Sequence, residues 1–386
     1  MAVSENLARY WNTLQRVLFP SLQEDLGTLN EKHFQVIAIL DVARIEELVD
    51  WYSESAPIGR PRSSRRAIAR AFVAKAVLNL PTTRQLLDRL TVDAALRRLC
   101  GWERKGELPS ESVFSRAFAE FAESKLAARV HESLVQRTLG EALVGHLSRD
   151  STEIEGRERP AAKEEGKTKE KPQAAARKRG RPKRGEERPA AEPTRIEKQT
   201  TMTLEEMLRD LPTECNVGSK RNSKGFTESW IGYKLHIDAA DGGIPVSCIL
   251  TSASVHDSQV AIPLATISQQ RVTNLYDLMD AAYDSPLIRA HSSSLGHKPI
   301  IDINPRRDTA LKNELLEEER RLKLINFSLP EDVRFNERTT VERVNARIKD
   351  DFGARFVRVR GHAKVFSHLM FGVLALTASQ ILNLAR

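Results

Sequence analysis

Residues 230–250 read WIGYKLHIDAADGGIPVSCIL. Ile231, Tyr233, Leu235 and Ile237 alternate with Gly232, Lys234 and His236, and Ile244, Val246, Cys248 and Leu250 alternate again after Asp241-Gly242-Gly243. A period of two on both sides of a glycine turn predicts a β-hairpin. Downstream, a helix is expected after Asp257-Ser258, a strand over Leu275 to Asp280, a helix from Ser285-Pro286 and a strand over Pro299 to Ile303. Helices at roughly 309–326, 334–351 and 362–384 close the chain. A hairpin followed by strand–helix–strand alternation predicts a mixed α/β sheet flanked by helices.

Upstream, Leu143 to Asp150 (LVGHLSRD) reads as a further strand. From about 155 to 225 the chain turns rich in Lys, Arg, Glu, Ala and Pro, most strongly up to about 200, where large apolar side chains nearly vanish. Such a segment cannot bury enough surface to offset its ordering entropy, so a disordered, charged insertion is expected. Residues 1–140 read as all-helical, because apolar residues recur at spacings of three and four. One helix runs from Arg65 to about Leu80, Thr82 and Gln85 form a capping-box pair, and Pro109-Ser110 opens another helix. Short helices with many arginines suit a helix-turn-helix DNA reader or a small bundle packed on the sheet domain 141–386.

The 386 residues carry a net charge of +8, which suits a polyanionic partner. Three cysteines without CxxC spacing argue for a reducing compartment and against a zinc or disulfide framework. The first residues lack a charged start followed by an apolar core, so no secretory signal is expected. The apolar run Val365 to Leu384 carries His368, Ser379, Gln380 and Asn383, and reads as a buried helix, not a membrane span.

Three carboxylates stand out. Asp150 and Asp280 are each expected at the carboxyl end of a strand, where α/β proteins place ligands, although a turn-capping Asp looks the same in sequence. The third is in FNERTTVERVNARIK, residues 335–349. At about 100° per residue, Phe335, Arg338, Glu342 and Lys349 fall within an arc of about 60°. Val341, Val344 and Ile348 form a separate packing stripe. A solvated Arg338–Glu342 pair is the plain alternative. If the carboxylates converge, two charges about 4 Å apart repel by roughly 4 kcal/mol at an effective dielectric near 20, which calls for a cation. Oxygen-only ligands suit Mg2+, with Mn2+ as a substitute, and two such ions can clamp both oxygens of a phosphoryl transfer. Arg338 and Lys349 could then hold neighbouring phosphates.

Taken together, Phe335-x2-Arg338-x3-Glu342-x6-Lys349 resembles the Y-R-E-K signature of DDE transposases from bacterial insertion sequences, with Phe at the Tyr position. SRDST around Asp150 and LMDAAYDS around Asp280 resemble the segments of the first two catalytic aspartates, and residues 232–258 resemble the stretch between them. LTVDAALRRLCGW, PSESVFSRAF and RGHAKVFSHLMFGVLAL are also similar to the family. The resemblance implies a ribonuclease H-like fold and Asp150, Asp280 and Glu342 as catalytic metal ligands. It implies cut-and-paste transposition with Mg2+, double-stranded DNA (terminal inverted repeats and target) as partner, a homodimer on paired ends, and a bacterial, nucleoid-associated place in the cytoplasm. The alternative is an inactive or domesticated DNA-binding descendant. Phe335 lacks the hydroxyl that a Tyr would offer to phosphate.

Secondary expectations concern neighbours. Asp257 could compete with Asp280 for the second catalytic role and is read first as the cap of the following helix, with a place beside the site as the alternative; Asp284 is read as a turn residue and His256 as structural. Lys234 and His236 are candidates to line the sheet near the site. RKRGRPKR, residues 177–184, resembles an AT-hook core whose Arg179 and Arg181 would enter the minor groove of A·T-rich DNA.

Overall fold

In the computed structural model, which describes residues 2–49, 62–161, 192–221 and 225–384, the alternation of residues 230–250 becomes the central hairpin of a sheet. Its strands are β1 (Leu143–Glu155), β2 (Asn216–Arg221), β3 (Thr227–Ala240), β4 (Ile244–Ser252), β5 (Thr273–Met279) and β6 (Lys298–Ile301). Five of them run in the order β4-β3-β1-β5-β6, and β2 pairs with the first half of β3. β4, β3 and β1 are antiparallel neighbours, whereas β1, β5 and β6 are parallel. This is the ribonuclease H-like arrangement. The hairpin turn needs its glycines: Gly242 and Gly243 have φ of 77° and 73°, a region that L side chains avoid.

The helices are α1 (Ala2–Thr13), α2 (Phe19–Leu26), α3 (Glu31–Ala43), α4 (Arg65–Val77), α5 (Thr83–Val92), α6 (Ala94–Cys100), α7 (Glu111–Glu123) and α8 (Leu126–Leu139) before the sheet. After β1 come α9 (Arg195–Gln199), α10 (Leu204–Asp210), α11 (Ala261–Gln269), α12 (Pro286–Ser294), α13 (Thr309–Leu324), α14 (Pro330–Phe335), α15 (Thr339–Asp351) and α16 (His362–Leu384). The expected capping box forms at α5, where Thr82 Oγ1 accepts from the Gln85 amide and Gln85 Oε1 accepts from the Thr82 amide.

Every residue of β4 is buried, so both faces of the sheet are covered there. Leu250 joins the main core with α15 and α16, whereas Ile249 packs with Val260 and Leu264 on the α11 side. α16 packs against α3, α4, α7, α8 and β4, so one continuous core runs from the first helices to the sheet. Each fully buried Leu or Val there contributes about 1.5–3 kcal/mol. α16 is long and apolar enough to cross a membrane, yet 78% of its most apolar window lies inside the molecule, as its interrupting polar residues predict.

Three expectations are corrected. Asp150 does not end its strand, because β1 continues to Glu155 through antiparallel pairing with β3. What ends beside it is the parallel neighbour: β5 stops at Met279, opposite Arg149. The segment 155–225 is not one disordered insertion. It carries α9, α10 and β2, because Thr194 and Thr203 form capping boxes with Glu197 and Glu206, and Met207 and Leu211 find burial. Arg179 and Arg181 of the basic run lie outside the described residues. Finally, the helix expected over 334–351 is interrupted by a 3-10 turn at Asn336–Arg338, which sets Phe335 on α14 and Glu342 on α15.

Candidate active site

Side chains on β1 alternate between the two faces of the sheet. Arg149 points to the α11 side, where Nε and Nη2 each lie 2.7 Å from an oxygen of Asp238 and Ser268 donates to the same carboxylate at 2.6 Å. This pair is buried and clamps β1 to β3. Ser148 and Asp150 point to the α15 side. Ser148 Oγ donates to the Glu337 carbonyl at 3.1 Å, and Asn345 Nδ2 donates to Asp150 Oδ2 at 3.0 Å. Val341, Val344 and Ile348 are buried as the expected stripe, so α15 and the 3-10 turn before it are fastened across β1 by packing and by those two bonds.

Asp280 follows β5 directly, one residue beyond the Arg149–Met279 pairing, which brings it beside Asp150. Its Oδ1 accepts from the Ala282 amide at 2.9 Å, so it also caps a short turn. Glu342, on the first turn of α15, accepts from Arg338 Nη2 at 2.7 Å and is half exposed. The Phe335 ring lies under the Arg338 guanidinium, 5.6 Å from its centroid. Lys349 reaches the other way and donates to Glu153 Oε1 at 2.6 Å, while Lys220 takes Oε2 at 2.9 Å. Although burial opposes it, these two hydrogen bonds hold the Glu153 carboxyl down at about 2.

Burial, with the negative charges of Asp280 and Asp257, pushes the Asp150 carboxyl up to about 7 against the Ser151 amide and Arg338. Asp280 is raised by burial and by Asp257, and Asp302, which follows β6, is raised by burial and by Asp280. Arg338 lowers all three and is also the ion-pair partner of Glu342, so one guanidinium serves four carboxylates. Among the described residues no three His, Cys, Asp or Glu side chains are already drawn together for an ion, and Glu342 is turned onto Arg338. The donors still fit a hard divalent cation. They are all oxygens, their negative charge is under-compensated, and the buried Asn345 Oδ1 beside them has no hydrogen-bond partner.

Of the two sequence readings of Asp257, the cap does not form. His256, not Asp257, caps the turn at Asp257–Gln259. The Asp257 carboxylate turns back to accept from Ser151 Oγ at 2.8 Å and Lys234 Nζ at 3.0 Å. Burial would raise it, but His236 and Lys234 hold it below the usual range. Burial drops His236 itself to about 3, so at neutral pH the full charge comes from Lys234. Lys234 and His236 therefore do lie near the aspartates, and Asp284 is a turn residue that accepts from Arg289 and from the Asn304 amide.

Two contributors went unread in the sequence. Asn345 stands three residues after Glu342 and so on a neighbouring face of the helix, which was the available signal. The Arg149–Asp238 pair had none, because it joins strands 89 positions apart.

Residues 195–378 match the family model described as Transposase DDE domain, and residues 23–120 match the one described as Transposase domain (DUF772). Asp280, Arg338, Glu342 and Lys349 fall inside the first match, while Asp150 precedes it and is joined to it by the β1–β5 pairing. Searches of curated proteins and of solved structures return no match. With a ribonuclease H-like sheet and both transposase matches along its length, the chain belongs to the DDE transposases of insertion sequences.

Proposed function

We propose that the chain performs cut-and-paste DNA transposition, with Asp150, Asp280 and Glu342 as the catalytic carboxylates. The observation that carries this reading is the side-by-side placement of Asp150, within β1, and Asp280, just past the end of the parallel strand β5, under a helix that is hydrogen-bonded to Asp150 and bears Glu342. Divalent cations, Mg2+ by preference, with Mn2+ as substitute and two at a time, would neutralise the carboxylates and the charge that develops on the phosphate. Asp150 and Asp280 would hold them first. Asn345 fixes the Asp150 carboxylate so that Oδ1 faces away from the helix bond. Arg338 moves from Glu342 to a DNA phosphate, which frees Glu342 to join the two aspartates. Phe335 supports the guanidinium through its ring face, and Lys349 reaches a phosphate once Glu153 is left to Lys220.

The partner is double-stranded DNA, first the terminal inverted repeats and then the target, held by a homodimer on paired ends. Residues 1–140 form a helical, DNA-contacting domain and 141–386 the catalytic domain. The enzyme would act at the bacterial nucleoid. The test is cleavage of the element's own ends with Mg2+, Mn2+ or chelator. Asp150→Asn, Asp280→Asn and Glu342→Gln each abolish cleavage and leave DNA binding in place. Full cleavage by any one of them removes that residue from the site.

A further inference from the structure

α4, α5 and α7 meet the segment between α15 and α16 across a cleft of about 420 Å3. Among the described residues its charged lining is Lys75, Arg157, Arg358, Arg360 and Lys364 against one carboxylate, Glu111. Glu111 faces Arg84 at 3.7 Å. Among the described residues none of the five cationic side chains makes a hydrogen bond or an ion pair. Lys75 is 7% exposed, and a buried ammonium without a partner is costly, as the fall of its amine to about 8 through burial reflects. His368, also in the lining, is held near 3 by burial, and its Nε2–H donates to the Gly353 carbonyl, so it adds no charge at neutral pH. The cleft therefore carries an excess of positive charge that the described protein groups do not balance.

Its position identifies the anion. Phe352 and Gly353, on the cleft wall, directly follow α15, and Phe352 is ten positions beyond Glu342. That is about 15 Å along a helix. A DNA strand spaces its charges about 3.4 Å apart along the axis, so roughly four phosphates cover the distance. We infer that this cleft binds the phosphates of the DNA strand leaving the candidate carboxylates, with Arg358 and Arg360 at its mouth and Lys75 at its floor. The inference rests on the DNA-cutting reading above and names where the strand goes.

The test is binding of a fluorescein-labelled duplex of random sequence to the full chain in chelator, from about 50 to 200 mM salt. Each lost phosphate contact lowers the slope of log affinity against log salt by about 0.9. Arg358→Ala/Arg360→Ala removes two exposed, unpaired cations and is expected to reduce the slope by about 2 and to weaken binding at low salt. Lys75→Met, which keeps the buried volume, moves both quantities the same way, with a thermal melt to check folding. The control is Lys312→Ala/Arg320→Ala, two exposed cations on α13, which contributes no residue to the cleft. Wild-type affinity and slope in the Arg358/Arg360 variant, or an equal loss in the control, overturn the cleft assignment and leave the catalytic reading standing. Failure of the wild-type chain to bind the duplex overturns both.

Discussion

The Asp150 carboxyl makes a counter-intuitive stability prediction. Its value rises from 3.8 to about 7 through burial and the charges of Asp280 and Asp257. A carboxyl whose folded value exceeds its unfolded value binds protons more readily in the folded state. Its protonated form therefore favours folding below pH 4, and that advantage is lost as pH rises through about 7. The full shift corresponds to roughly 4 kcal/mol, and about 2–4 kcal/mol allows for water reaching a partly exposed group. Asp150→Asn removes the ionisable group while keeping an oxygen for Asn345 Nδ2. At pH 8 in chelator the variant should be more stable than wild type by about 2–4 kcal/mol, and near pH 4 the two should converge. His131, His236 and His368, all held near 3, lose stability toward acid and oppose the Asp150 trend in the total. The difference between variant and wild type cancels them. Urea denaturation at several pH values between 4 and 8 measures it. A difference that does not grow with pH, or a variant less stable than wild type at pH 8, refutes the account of the buried aspartate.

Other consequences follow from single contacts. Asp238→Ala leaves Arg149 buried without its bidentate partner and should cost about 3–5 kcal/mol in urea denaturation; a loss under 1 kcal/mol would mean that the clamp between β1 and β3 contributes little. Gly243→Ala introduces a Cβ at φ 73° and within 2.8 Å of Gln380 Nε2, so a loss of about 1–3 kcal/mol is expected, and an unchanged midpoint contradicts the strain. Asn345→Ala should lower the cleavage rate while leaving duplex affinity alone, since it frees Asp150 without touching a cation that meets DNA. An unaltered rate would deny Asn345 any positioning role.

How much of this could be read beforehand depended on distance along the chain. The hairpin over 230–250 was legible because alternation and a two-glycine turn are local. So were α15's packing stripe, the cap at Thr82 and the helix start at Ser110, each set by residues a few positions apart. Asp150 was found, but its place within β1 was not. The strand's end depends on β3, whose pairing with Glu155 comes from Gly232, 77 positions later. Residues 192–221 looked too polar to order, yet two capping boxes and a few apolar side chains suffice when the sheet is there to pack on. The two readings of Asp257 stayed open because a cap and a charge partner have the same local sequence, and only the fold brings Lys234 and Ser151 to it. The Glu342–Arg338 pair was visible as an i,i+4 spacing, but sequence could not say that it persists beside two aspartates.

The central claim is that Asp150, Asp280 and Glu342 share divalent cations. Replacing Mg2+ by Fe2+ in the DNA-bound protein, with ascorbate and peroxide, generates hydroxyl radicals at the metal position and cuts the nearest backbone. Cuts clustered around residues 150, 280 and 342, suppressed by excess Mg2+ and by Asp150→Asn, are the expected result. Cuts that leave the Glu342 region intact, or that fall elsewhere in the chain, would contradict it.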